Sequence, residues 1–214
     1  MKCRGHETRQ RIVRDYEVKP KAHIKLLANQ QKHSDAGATI KDKYYVFSAV
    51  RKIDSKEEII QCGMFAAKDF LKLINQKGLP LFNPLTGNSN VNDRQEYDNR
   101  GSRNLQSEKW NKTAIQLYNA IMWLFLLWNI KQDTPLFNLE DDVIKNKAYE
   151  PTKSNIKSVN TAIKNGGKGK TLTEMINVYR EYNNIKEEFC NFSSLQDKVN
   201  NFKDKQGNTI KSYF

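Results

Sequence analysis

One apolar run constrains this chain more than any other feature. Residues 110–131 read WNKTAIQLYNAIMWLFLLWNIK, and residues 120–128 are apolar without exception. A membrane-spanning helix needs about 18 or more consecutive apolar residues, so this run is too short to cross a bilayer. Neither glycine nor proline interrupts it before Pro135. A helix that is apolar all round must be covered on all sides. We therefore predict a central buried helix of about five turns.

The aromatic residues of this run allow a second interpretation. Aromatic side chains can stack on the bases of single-stranded nucleic acid. Large apolar side chains, however, lie inside proteins more often than on their surface. We therefore predict that Trp123 and Trp128 belong to the core.

The first 85 residues carry strand and helix patterns in alternation. Residues 11–18 predict a short strand that Pro20 ends, and residues 22–31 predict a helix. Residues 39–53 and 57–62 predict two strands of a hairpin, followed by an amphipathic helix over 64–75. The apolar residues that this helix is expected to turn inward are Phe65, Phe70, Leu73 and Ile74.

The remainder of the chain predicts helices. Short helical patterns cover residues 139–147 and 155–164, and a last helix is expected around residues 195–202. Thr171 and Glu174 have the spacing of a capping box, which predicts a helix from Thr171 to about Phe189. Residues 86–108 contain few apolar side chains and predict a long polar loop.

The pattern as a whole predicts an α+β fold. A small antiparallel sheet with helices forms the N-terminal part, and a mostly helical C-terminal half surrounds the central hydrophobic helix. The expected organisation is an α+β part over 1–85, the polar loop over 86–108 and a helical part over 109–214, all packed as one compact unit.

The charge of the chain points to a polyanionic partner. Lysine and arginine number 36 against 24 acidic residues, which gives a net charge of +12. Residues 1–85 hold 17 basic and 9 acidic residues, so +8 of this excess lies there. A surplus of this size favours nucleic acid as the partner, the alternative being a lysine-rich surface that only maintains solubility.

Cysteine use and the first residues predict a location. Cys3, Cys62 and Cys190 are widely spaced and form no C-x-x-C motif, which argues against a disulfide scaffold and for a reducing compartment. The first residues, MKCRGHETRQR, contain no apolar segment of a secretory signal. We expect a cytoplasmic protein that does not insert into a membrane.

The glycine-rich segment KNGGKGKT resembles only half of a phosphate-binding loop. Gly169, Lys170 and Thr171 match its second half, but residue 164 is lysine where the first glycine belongs, and no apolar strand precedes it. A weaker prediction is that Lys168 and Lys170, next to a helix N-terminus, hold one phosphate of a nucleic acid. The alternative is a plain connection between helices.

Glu17 and Lys19 have the spacing of a nuclease site. On a strand, an acid and a lysine two residues apart share one face, where the acid can hold Mg²⁺ and the lysine can steady the attacking water. Asp15, two residues before Glu17, is expected on the same face. The alternative is a charged edge strand. Magnesium is expected as a cofactor only under the nuclease interpretation.

Cys3 and His6 have a spacing found in metal sites. A tetrahedral zinc site needs a second close pair of ligands, and the sequence offers none. The two residues are therefore weak candidates for metal ligands.

The leading prediction is a basic protein that binds nucleic acid mainly through phosphate contacts. The alternatives are an interaction module or subunit of a larger assembly, suggested by the aromatic residues of 110–131 and by LPLFNPL at 79–85, and a metal-dependent nuclease. A small, basic chain with few motifs also fits the proteins of host–phage conflict. The candidate phosphate contacts are Arg4, Arg9, Arg11, Arg14, Arg94, Arg100, Arg103, Lys168 and Lys170.

Overall fold

The computed structural model describes residues 1–90, 110–128, 134–186 and 191–214, and it confirms the predicted α+β fold. Its helices are α1 (His6–Asp15), α2 (Met64–Leu73), α3 (Lys112–Trp128), α4 (Leu136–Lys145), α5 (Lys153–Gly166), α6 (Leu172–Tyr182) and α7 (Ser193–Asn200). Its strands are β1 (Tyr16–Lys25), β2 (Lys32–His33), β3 (Thr39–Ile40), β4 (Lys43–Arg51), β5 (Glu57–Gly63), β6 (Leu81–Asn83) and β7 (Asn88–Asn90).

The chain forms two compact units. Unit 1 consists of Met1–Pro84 with Ile130–Thr134, and unit 2 consists of Leu85–Asn129 with Pro135–Phe214. Residues 91–109, which make up most of the predicted polar loop, lie outside the described residues. The candidate contacts Arg94, Arg100 and Arg103 fall in that range.

Unit 1 is built on a sheet in which four strands follow the order β5-β4-β1-β6. β1, β4 and β5 form an antiparallel meander, and the predicted hairpin is its β4–β5 half. β6 joins β1 in parallel, with Ile24 opposite Phe82, so the sheet is mixed. β6 falls within residues 79–85, the segment with the prolines.

Helices α1 and α2 contact each other and the meander, and the core of unit 1 lies among them. The register places Phe47 opposite Ile60, and the ring of Phe47 lies 5.3 Å from that of Phe70 on α2. Phe70 is fully buried, as predicted, whereas Phe65 is 85% exposed, so the prediction that Phe65 turns inward is wrong. The buried face of α2 uses Ala66 and Ala67 instead, which allow the helix to approach the sheet closely.

The structure corrects the predictions for the first 31 residues. Residues 6–15 form α1, and a single strand then runs from Tyr16 to Lys25 through the proline that was expected to stop it. The pairing of β1 with β4 shifts register between Pro20 and Ala22. A bulge tolerates a residue without an N–H group. Pairing with β4 on one side and β6 on the other overrides the helical pattern that residues 22–25 show in the sequence.

Unit 2 is organised around α3, which confirms the predicted central helix. Twelve of its 17 residues are buried. The ring of Trp123 meets that of Tyr179 on α6 edge to face at 5.7 Å, and Phe125 meets Phe137 on α4 at 5.5 Å. None of the helices in the described ranges is long and apolar enough to span a membrane.

The N-terminus of α6 confirms the predicted capping box. The backbone N–H of Thr171 donates to the Glu174 carboxylate at 2.6 Å, and the Glu174 N–H donates to the Thr171 hydroxyl at 3.2 Å. The helix ends at Tyr182 rather than near residue 189. Two residues later Asn184 takes a left-handed conformation with φ 54°, which is common just past a helix end.

Thr171→Ala is expected to lower the free energy of unfolding of unit 2 by about 1 kcal/mol, because the Glu174 N–H in the first turn loses its acceptor, the Thr171 hydroxyl. Thr173→Ala, inside the same turn, removes a threonine without touching the cap and serves as the control. All three tryptophans lie in the sequence range of unit 2, so urea unfolding followed by tryptophan fluorescence measures the effect. Equal effects of the two substitutions would contradict the capping role.

Candidate nucleic-acid interface

The carboxyl end of α1 gathers several of the predicted site residues. Arg11 and Arg14 are exposed, and their spacing of three places them side by side on the helix. Lys52, in the turn after β4, donates from Nζ to the carbonyl oxygens of Val13 at 3.2 Å and Arg14 at 2.8 Å. A cation at this end of a helix also complements the helix dipole.

Asp15, the last residue of α1, contacts two of these residues. Arg14 donates from Nε to Asp15 Oδ1 at 2.8 Å, and the backbone N–H of Lys52 donates to the Asp15 carbonyl at 3.1 Å. The hydrogen bond from Arg14 lowers the pKa of the Asp15 carboxyl below its usual value. Burial opposes this effect, and the charges of Arg14, Arg11 and Lys52 lower the pKa further. Arg14 therefore pairs directly with the Asp15 carboxylate, and the charges of Arg11 and Lys52 act on it electrostatically.

Glu17 and Lys19 extend this cluster along β1. Lys19 Nζ lies 2.8 Å from Glu17 Oε1, which agrees with the prediction that both side chains share one face of the strand. The hydrogen bond from Lys19 is the main reason that the pKa of Glu17 lies below its usual value, and the charge of Lys52 adds to the effect. We call the set Arg11, Arg14, Asp15, Glu17, Lys19 and Lys52 the basic corner.

Asp15 does not occupy the place that the sequence predicted for it. It is the last residue of α1 rather than a strand residue, and its carboxylate binds Arg14. The expectation that it shares a strand face with Glu17 is wrong, because β1 begins at Tyr16. Among the described residues, no group of three or more His, Cys, Asp or Glu side chains could hold a metal ion. The structure adds nothing to the nuclease interpretation, which stays a prediction.

Arg9 is buried, although the sequence suggested a phosphate contact. Its Nε donates to Asp69 Oδ2 at 2.5 Å, and its Nη1 donates to the Cys3 carbonyl at 3.0 Å. The side chain of Arg9 is only 5% exposed, so it links α1 to α2 and is not placed to meet a nucleic acid. Arg4 is exposed but precedes α1, at the opposite end of the helix from the basic corner.

Cys3 and His6 point to different partners. His6 Nδ1 lies 2.9 Å from the Asp69 carboxylate, while the Cys3 thiol lies in the core beside Cys62. The two predicted metal ligands are thus engaged elsewhere within unit 1.

Lys168 and Lys170 lie in unit 2, in the connection between α5 and α6. The connection turns through left-handed backbone at Lys168 and Gly169, with φ 51° and 87°. The first turn of α6 is capped by the carboxylate of Glu174, which lies where a phosphate would bind. The predicted phosphate contact at these two lysines remains untested.

Lys52 is the residue of the basic corner that sequence reasoning missed. Its position beside Asp15 can be predicted only when the pairing of β1 with β4 is known. Tyr16 pairs with Arg51 across β1 and β4, so the next residue, Lys52, necessarily lies beside Asp15. Without knowing that α1 ends at Asp15, the sequence gives no reason to connect residues 15 and 52.

The apolar stretches that suggested an interaction module are largely buried where the structure describes them, over residues 79–85 and 110–128. Trp123 and Phe82 are fully buried, and Phe125 is nearly so. Neither stretch therefore offers these side chains to a partner. The function as an interaction module stays a prediction, but these buried side chains no longer support it.

Comparisons of the chain with models of known protein families, with curated proteins and with solved structures found no match. Any assignment of function therefore rests on the arrangement of the residues described above.

Proposed function

We propose that this protein binds nucleic acid through phosphate contacts at the basic corner. The observation that carries the proposal is the grouping of Arg11, Arg14 and Lys52 at the carboxyl end of α1, where Lys52 binds the Val13 and Arg14 carbonyls and Arg14 pairs with Asp15. Two of these cations are arginines one turn apart on an exposed helix face. A guanidinium group can bind a phosphate through two parallel hydrogen bonds.

The ion pairs of the basic corner do not prevent such binding. The Arg14 side chain is 72% exposed and the Asp15 side chain 45%. Exposed ion pairs contribute about 0–1 kcal/mol, since water screens them. A phosphate can therefore replace the carboxylate of Asp15 as the partner of Arg14 at little cost.

The charge of the surrounding sequence supports the same proposal. The net charge of +8 over residues 1–85 attracts a polyanion over distances beyond direct contact. Phosphate contacts fix the position of a nucleic acid but carry no sequence information. We therefore expect binding with little preference for base sequence.

The test is the binding of a labelled DNA duplex, measured by fluorescence anisotropy at about 50 and 200 mM salt. The double variant Arg11→Ala/Arg14→Ala is expected to weaken binding roughly five- to tenfold at the lower salt. It should also reduce the slope of log affinity against log salt by about 1.8, because each lost phosphate contact contributes about 0.9. Asp15→Asn is expected to strengthen binding, since it removes the anion that competes with phosphate.

Lys72→Ala/Lys77→Ala provides the matched control, because both lysines are exposed in unit 1 and lie outside the basic corner. It removes the same charge and should reduce affinity much less. No binding at low salt, or binding that salt does not affect, would exclude the proposed function. Equal losses in the two double variants would exclude the basic corner as its site.

A further inference from the structure

Two thiols that are far apart in the sequence meet in the core of unit 1. Cys3 precedes α1 and Cys62 lies in β5, and both are free and fully buried. Both belong to the same core cluster, and the N-terminal ammonium group of Met1 donates to the Ile59 carbonyl at 3.2 Å, so the segment that carries Cys3 lies along β5. Two free thiols in one core cluster on neighbouring segments can form a disulfide if their separation allows it, which the experiment below tests directly.

The backbone around the two cysteines is fixed by one residue. The carbonyl oxygen of Asp35 accepts a hydrogen bond from the Cys3 N–H at 2.9 Å. The N–H of Asp35 donates to the Gln61 carbonyl at 2.8 Å, and its carboxylate accepts from the Gln61 N–H at 2.7 Å. Asp35 thus holds the segment before α1 beside β5, with Cys3 next to Cys62.

The two thiols are not equivalent. The hydrogen bond from Cys62 lowers the pKa of the Cys3 thiol below its ordinary value, and the charge of Arg9 lowers it too, although burial and Asp35 act in the opposite direction. The same hydrogen bond, together with burial, raises the pKa of Cys62. Cys3 is therefore the better nucleophile, because the thiolate is the reactive form of cysteine.

We propose that Cys3 and Cys62 are a redox-sensitive modification site, which hydrogen peroxide converts into a reversible intrachain disulfide. The Cys3 thiolate attacks one peroxide oxygen, the O–O bond breaks, and the departing hydroxide takes up a proton and leaves as water. The Cys62 sulfur then attacks the sulfenic acid on Cys3, the S–O bond breaks, and the hydroxide leaves as a second water with the Cys62 proton. Two thiols are oxidised, and one hydrogen peroxide is reduced to two waters.

A small oxidant reaches Cys3 when the segment before α1 opens locally. This opening breaks the Cys3–Asp35 hydrogen bond and the bond from Arg9 to the Cys3 carbonyl, and it leaves the sheet intact. The disulfide then closes a loop that contains α1, β1 and β4. Because a cross-link over a loop of this length restricts the unfolded chain, the oxidised protein should be more stable than the reduced one. This inference does not depend on the proposed binding function.

The experiment treats the full chain with hydrogen peroxide or with dithiothreitol, blocks free thiols with N-ethylmaleimide and maps the tryptic peptides by mass spectrometry. After peroxide, the peptide of residues 57–68 is expected to be linked to a peptide that contains Cys3, and dithiothreitol should release it. The melting temperature of the oxidised protein is expected to rise by about 10 °C.

Cys190→Ser is the control and should keep both the link and the shift in melting temperature. Cys62→Ser should lose both, and Cys3 should then accumulate as a sulfenic acid that dimedone traps. Maleimide adducts on both Cys3 and Cys62 after peroxide, or a link from either residue to Cys190, would overturn the proposal. The peptide map of the parent protein, without substitutions, tests the proposal even if the Cys62→Ser variant does not fold.

Discussion

Phe70→Ala is expected to lower the free energy of unfolding by about 3–5 kcal/mol, whereas Phe65→Ala should change it by less than about 0.5 kcal/mol. Both residues lie on α2, but Phe70 is fully buried and Phe65 is 85% exposed. Truncating Phe70 removes its packing against Phe47 and leaves a cavity between α2 and the sheet. Urea unfolding monitored by far-UV circular dichroism measures both effects.

The two variants control for each other. The residue type, the substitution and the helix are the same, so the change in helix propensity is common to both, and the difference reports burial alone. Equal destabilisation would mean that α2 turns both side chains inward, as its sequence pattern predicted, and would contradict the packing of unit 1 described above. A destabilisation by Phe65→Ala alone would reverse the assignment of the buried face.

The predictions that the structure confirms depend on local signals. The β4–β5 hairpin is marked by a turn between two strand patterns, and α6 is marked by the side chains of Thr171 and Glu174. The burial of α3 follows from the length of its apolar run alone, because a helix that is apolar on all sides must be covered on all sides. In each case the deciding residues lie within a few positions of one another.

The wrong predictions depend on partners that are distant in the sequence. Residues 22–25 have a helical pattern, but they pair with residues 43–46 of β4 and become strand. The inward face of α2 could not be fixed either, because Phe65 and Phe70 satisfy the periodicity equally well. Only the sheet that α2 covers decides between them.

The difference between local signals and distant partners also explains which residues of the candidate site could be predicted. The charge of Arg9, Arg11 and Arg14 was visible in the sequence, but their exposure was not. Arg11 and Arg14 face solvent, while Arg9 is buried because its partner, Asp69, comes from a helix 60 residues away. Nothing near Arg9 in the sequence distinguishes it from the other two. Which arginines are available to a phosphate is therefore a property of the packing of α1 on α2.

This difference among the arginines leads to a large expected effect on stability. Arg9→Met should lower the free energy of unfolding by about 2–4 kcal/mol at pH 7, because the Asp69 carboxylate loses its main partner and the Cys3 carbonyl loses a donor. Methionine keeps an apolar stem of similar length, so the loss reports the guanidinium group. Arg11→Met, on the exposed face of the same helix, should change stability by less than about 0.5 kcal/mol.

The cost of Arg9→Met should also depend on pH. Burial raises the pKa of Asp69, but the hydrogen bonds from Arg9 and His6 outweigh it, and the pKa lies below its ordinary value. A carboxyl group with a lowered pKa contributes stability above its unfolded pKa of about 3.9 and loses that contribution as the pH falls through the folded value. The difference in the free energy of unfolding between the parent protein and Arg9→Met should therefore be largest at pH 7 and decrease below about pH 4. Urea unfolding at several pH values measures this difference, with Arg11→Met as the reference. A difference that stays constant on acidification would show that Arg9 acts through packing and not through the charge of Asp69.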